Sequence, residues 1–304
     1  MRICSLIPSA TEIAFALGLG EQVVGVSHEC DYPAEARHKA VVVRSTIDSN
    51  HMTSAEIDSR VGQILQARQS PYAIDDEAFQ QAAPDVILTQ GLCDVCALDY
   101  NDVVRAAQSL PYRPTIVSLT PNCLNDVLDD ILRVGEITHR GKEAETLIRD
   151  LRQRIERVGQ QTARVLSRPR VACIEWLDPI YAAGHWVPEM VELAGGVDVL
   201  ARKGKPSAHV KWITVVKAAP EIIVLMPCGF DLERTIGESV LLQKLAGWNH
   251  LPAVTRRNVY AVNGSAFFSR PGPRLADGLE ILARIIHPES FTEPTPPDAV
   301  QRIL

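Results

Sequence analysis

Cys93 and Cys96 are the most chemically pointed pair in this chain, because C-x-x-C spacing suits a bound metal or a dithiol. One such pair is half a tetrahedral zinc site, which takes four ligands. Imidazole, carboxylate and thiolate all ligate zinc or another transition metal, so His28, Glu29, Cys30 and Cys228 are the residues that could complete it. The alternative is a pair of reduced thiols used in packing. A second group suits a larger ligand. Trp176, Trp186, Phe267 and Phe268 offer large rigid rings on which a flat molecule could rest. Ser9, Gln90, Asp178 and Arg270 could orient it through a few polar contacts, as could His28. Glu175 and His185 are further polar candidates, and the acid/base pair if the chain is an enzyme. No G-x-S-x-G elbow, H-E-x-x-H pair or P-loop is present, so no catalytic residue is assigned and binding rather than catalysis is expected.

These residues fall where strands should end. Ala82-Ala83-Pro84-Asp85-Val86-Ile87-Leu88 recurs as Ala218-Ala219-Pro220-Glu221-Ile222-Ile223-Val224. Each copy reads as a helix stopped at proline, followed by the continuous apolar run of a strand covered on both faces. Upstream, Glu12-Ile13 leads to Leu17-Gly18-Leu19-Gly20 and Glu189-Met190 to Leu193-Ala194-Gly195-Gly196, glycines that stop a helix. Strands are expected at Ile3 to Ile7, Val23 to Val26 and Thr115 to Leu119, and again at Val171 to Ile174 and Val259 to Val262. The fold class is therefore α/β, with two Rossmann-like doubly wound lobes joined by a long backbone helix. Ligands of such sheets bind past the carboxyl ends of the strands, where the candidate residues lie. Ser9 and Glu12 also have capping-box spacing.

Between the halves, Glu143 to Val165 lacks proline and carries Leu147, Leu151, Ile155 and Val158 at helical spacing. The expected division is an N-terminal lobe over 1–120, a connecting helical segment over 121–168 and a C-terminal lobe over 169–304. The proline-rich tail from Thr292 to Pro297 is expected to be loosely ordered or laid along the surface. Composition supports an ordinary globular chain, 46% hydrophobic and 22% charged. A net charge of -6 without a basic stripe argues against nucleic acid. No apolar run reaches the ~20 residues of a membrane span. With a strand from the first residues and seven scattered cysteines, the expected location is the cytoplasm, or the periplasm if an export signal preceded Met1.

Pro8-Ser9-Ala10-Thr11-Glu12, Val24-Gly25-Val26-Ser27, Asp31-Tyr32-Pro33, Val191-Glu192-Leu193-Ala194-Gly195-Gly196, and Phe267-Phe268 ahead of Pro273-Arg274 resemble, in that order, the helical-backbone metal receptors. These are the class III periplasmic binding proteins of ABC importers. The resemblance covers essentially the whole chain. It implies two lobes joined by a rigid helix and a ligand that is cobalamin or another metal chelate such as haem or a siderophore. It also implies an ABC transporter as partner. Glu29 stands where the pattern has an aromatic residue, and Cys93/Cys96 lies outside the pattern. A cytoplasmic zinc-like metal-binding protein, or an enzyme on the same scaffold, is the alternative.

Overall fold

A computed structural model describes residues 1–91 and 98–304. The chain divides into two compact units. The first comprises Met1–Met52, Glu56–Pro121 and Asn125–Arg149; the second comprises Thr53–Ala55, Asn122–Leu124 and Asp150–Leu304.

The first unit is built on β1 (Ile3–Ser5), β2 (Val23–Ser27), β3 (Ala40–Ser45), β4 (Tyr72–Ile74), β5 (Val86–Gln90) and β6 (Thr115–Leu119), in the order β4-β3-β2-β1-β5-β6. All neighbours are parallel except β3 and β4. Every residue of β1 and β5 is buried, as the apolar runs at the middle of a doubly wound sheet require. Cys4, Val42, Phe79, Ile87 and Val103 meet in one core.

The second unit adds β7 (Arg170–Leu177), β8 (Ile180–Ala182), β9 (Val197–Asp198), β10 (Ala208–His209), β11 (Ile222–Leu225), β12 (Val259–Val262) and β13 (Val300–Arg302). The order is β10-β8-β7-β11-β12-β13, with β9 also on β7. The parallel centre β9-β7-β11-β12 repeats β2-β1-β5-β6 of the first unit. Around it, β8, β10 and β13 are antiparallel additions. Ala172, Ile174, Ile223, Leu225 and Trp248 form its core.

The duplicated sequence folds the same way twice. Helices Asp76–Ala82 and Trp212–Ala218 both end on an alanine in the left-handed region, Ala83 at φ 41° and Ala219 at φ 44°. The proline that follows cannot continue the helix. The next acidic side chain then ties down the start of the neighbouring strand. Asp85 accepts from the Arg2 amide at 2.7 Å, and Glu221 from the Arg170 amide at 3.1 Å. Each arginine's guanidinium closes the same turn, Arg2 on the Ala82 carbonyl at 2.7 Å and Arg170 on the Ala219 carbonyl at 3.1 Å.

Two local expectations change. Helix Pro8–Ala16 starts on Pro8, whose fixed φ suits a first helical position, so Ser9 lies inside the first turn and caps nothing. The long helix is one unbroken element, Gly141–Thr162, of 22 residues, ending at Thr162 rather than Val165. Its residues up to Arg149 belong to the first unit and those from Asp150 to the second. Thr292 to Pro297 forms no helix or strand and is largely exposed, while on either side Phe291 and Ala299 are buried and Val300–Arg302 pairs with β12.

Candidate ligand site

In the second unit the parallel register ends at Ile174 opposite Leu225. Glu175 is the next residue, and its backbone carbonyl accepts from the Cys228 amide at 3.0 Å. The loops after β7 and β11 are thereby joined at the carboxyl edge. The loop after β12 packs against them: a Cβ on Gly264 would lie 2.4 Å from the Pro227 carbonyl oxygen, so only glycine fits. The Ser265 amide donates to the Phe230 carbonyl at 3.0 Å.

Trp176 is half-buried on this edge. Its ring lies 5.2 Å from that of Phe230, and its Nε1 donates to the carbonyl of Ser54, a residue of the same unit, at 3.2 Å. The Arg234 guanidinium stacks on the other ring, 3.8 Å from the Phe230 centroid, a cation–π contact. Glu175 is oriented by Ser207, whose hydroxyl donates to Oε2 at 2.9 Å while accepting from the Gly184 amide at 3.1 Å. His185 adopts φ 53° and stacks on Trp186 at 5.5 Å. Its Nδ1 is buried with no hydrogen-bond partner among the described residues, and burial holds the imidazole below its ordinary pKa, so the neutral ring is favoured. Asp178 is exposed in the turn between β7 and β8.

The other aromatic candidates have a different role. Phe268 is 2% exposed, Trp186 5% and Phe267 7%, and Trp186 Nε1 donates to the Phe268 carbonyl at 2.8 Å. Rings so enclosed pack within the unit and present less open surface than Trp176. Arg270 is likewise buried, with a hydrogen bond to the Ser265 hydroxyl at 3.0 Å. Sequence reasoning missed Phe230, Arg234 and Ser207. Phe230 could have been found, since it is an aromatic residue in the loop just past the repeated apolar strand, two residues after Cys228. Ser207 carried no signal, because its importance lies in a contact 32 residues away in sequence.

In the first unit Ser9 and Gln90 are buried near the carboxyl ends of β1 and β5. His28 and Glu29 follow β2, with His28 Nε2 at 3.5 Å from Glu29 Oε1. Cys30 is buried among hydroxyls: Thr11 donates to its sulfur at 3.0 Å, and Ser27 Oγ lies 3.4 Å away. Cys228 is a half-buried free thiol of the second unit. Among the described residues no group of three or more His, Cys, Asp or Glu is arranged to hold a metal ion. Cys93 and Cys96 lie outside the described residues.

Two doubly wound units that share a long helix, with candidate residues just past the strands, are accompanied by a decisive match. The sequence pattern of the periplasmic binding proteins fits residues 3–266. The chain belongs to that family.

Among relatives of this binding protein is YvrC of Bacillus subtilis, described as an ABC transporter substrate-binding lipoprotein. It is 27% identical over 304 residues, covering 96% of this chain and 82% of the relative. The vitamin B12-binding protein of Vibrio cholerae is 28% identical over 284 residues, covering 92% and 86%. Among solved structures, the periplasmic heme-binding protein RhuT of Roseiflexus superposes with a TM-score of 0.71 at 20% identity, over 95% of this chain and 98% of that one. At that identity the likeness speaks for the fold alone. The family and these relatives favour the periplasmic expectation and lend none to the cytoplasmic one. Among the described residues no helix is long and apolar enough to cross a membrane.

Proposed function

We propose that this binding protein captures a flat metal chelate, cobalamin or a haem-type macrocycle, outside the cytoplasm and hands it to an ABC transporter. The observation that carries the reading is Trp176, a half-buried ring braced by Phe230 at the carboxyl edge of the second sheet. A braced indole gives a flat ligand a large contact face at little cost in side-chain freedom. Glu175, fixed by Ser207, and the exposed Asp178 supply polar contacts beside it. Ser9, His28, Glu29 and Gln90 are the corresponding candidates in the first unit. The chemistry named for the Vibrio relative supports cobalamin, and that named for the Roseiflexus structure supports haem.

Titration of the tryptophan fluorescence with cyanocobalamin and with haemin tests this directly. The four tryptophans all fall in the second unit, so occupancy there should quench them. Saturable binding of at least one chelate is expected, weakened about tenfold in Trp176→Ala by the loss of one stacking face. Absence of saturable binding by either chelate would overturn the reading.

A further inference from the structure

The stretch from Val199 to Pro220 contains Arg202, Lys203, Lys205, Lys211 and Lys217, and no aspartate or glutamate. The whole chain has 31 Lys+Arg against 37 Asp+Glu; without these five it has 26 against 37, a net charge of -11. A concentration of positive charge on so acidic a background needs a reason. Guarding the outermost strand β10 against edge pairing is one. It does not account for Arg202 and Lys205, which lie in the loop before that strand.

That loop is fastened to the candidate site. The His185 amide donates to the Lys205 carbonyl at 2.6 Å, and the Gly204 amide to the His185 carbonyl at 2.9 Å. Two residues on, Ser207 bridges the Gly184 amide and the Glu175 carboxylate. The fit leaves no slack: a Cβ on Gly184 would sit 2.3 Å from the Ser207 nitrogen and 2.6 Å from the Lys205 carbonyl oxygen. A turn brings Arg202 and Lys205 together, the Lys205 amide donating to the Arg202 carbonyl at 3.1 Å. Both side chains are exposed, and among the described residues neither is in an ion pair, whereas Lys203 is held by Glu189 at 2.6 Å.

We propose that the turn Arg202–Lys205 recognises an anionic oxygen group, a carboxylate or a phosphodiester, carried on the periphery of the chelate. The inference rests on the reading above that the ligand is a metal chelate, and it adds which chemical edge of that ligand meets the second unit. A guanidinium and an ammonium on a backbone that is already seated can form charge-assisted hydrogen bonds without first ordering the loop.

Two pairs of probes differ in an anionic group: haemin with its dimethyl ester, and cyanocobalamin with dicyanocobinamide, which lacks the whole nucleotide loop with its phosphodiester; the salt dependence separates charge from shape. In at least one pair the anionic member should bind about tenfold more tightly, the worth of one charge-assisted hydrogen bond. That preference should fall as salt is raised, and largely vanish in Arg202→Ala/Lys205→Ala while Arg202→Lys retains part of it. The pair that responds identifies the group as carboxylate or phosphodiester. Equal binding within both pairs, or a preference unchanged in the double variant, overturns the proposal while leaving chelate binding intact. If the double variant keeps its preference but aggregates, the charges guard the sheet edge. If no probe binds, the proposed function falls and this inference with it. The salt series on the unaltered protein decides the matter even if the double variant folds poorly.

Discussion

Asp130, on the helix Leu124–Ile137, shows how one side chain can set a pH dependence. Burial, opposed by Arg133 and reinforced by Asp126 and Asp129, pushes its carboxyl up to about 7. A raised carboxyl pKa means the fold favours the protonated form. The stability it contributes is complete below the unfolded value, about 3.9, and is lost as pH rises through about 7. Asp130→Asn should therefore gain stability relative to the parent between about pH 4 and pH 7 and hold that gain above. A gain on the order of 1 kcal/mol is expected at pH 8, since the half-buried group keeps some solvent. Urea unfolding at several pH values checks it; a gain independent of pH would contradict the assignment. At the same scale, Cys30 follows a strand, where the sequence reads a candidate ligand, and its sulfur accepts from Thr11 with the Ser27 hydroxyl beside it.

Among the elements, the long helix Gly141–Thr162 depends on a fastening the sequence did not announce. Arg154 donates to Glu280 at 3.0 and 2.6 Å and to Asp277 at 2.6 Å, and Arg157 adds a bond to Glu280 at 3.0 Å. These acceptors lie on the helix Leu275–Ile286 of the same unit. Burial pushes the Glu280 carboxyl up, but the hydrogen bonds and charges of Arg154 and Arg157 outweigh it and leave it below the usual carboxylate range. A lowered carboxyl pKa contributes stability above the unfolded value that is lost as pH falls. Arg154→Ala should cost about 1 kcal/mol at pH 7, discounted because each partner is about one-third exposed, and the cost should shrink below about pH 4. Thermal melts of both proteins at pH 7 and pH 3 measure this; an equal cost at both values would assign Arg154 to packing instead. Nothing local to Arg154 in the sequence marks this contact, because its acidic partners lie more than 120 residues away.

For the molecule as a whole, the chain's end completes the second sheet. Val300, Gln301 and Arg302 pair with Val262, Ala261 and Tyr260, and the buried Phe291 and Ala299 lead into that strand. Removing the residues after Pro288 exposes the edge of β12 and the apolar surface that Phe291 and Ala299 cover. A lower melting temperature and concentration-dependent association by light scattering are expected. A truncated chain that melts like the parent and stays monodisperse would show the tail to be dispensable.

The duplicated α/β pattern was legible in the sequence because its signals are local. Apolar runs of strand length, and a helix stopped at Ala-Pro before an acid, specify β5 and β11 with their neighbours wherever they occur. β3 is similarly apolar, yet it is absent from the strands expected from sequence. The strands β4, β8, β9, β10 and β13, of two or three residues each, are too short to show a period. What only tertiary structure decided is which candidate residues keep an open face. Phe268 and Trp186 are enclosed while Trp176 is not, and Ser207 becomes the partner of Glu175. Burial and hydrogen bonding across the sheet are set by what other segments bring to the same place, and no window of neighbouring residues contains that information.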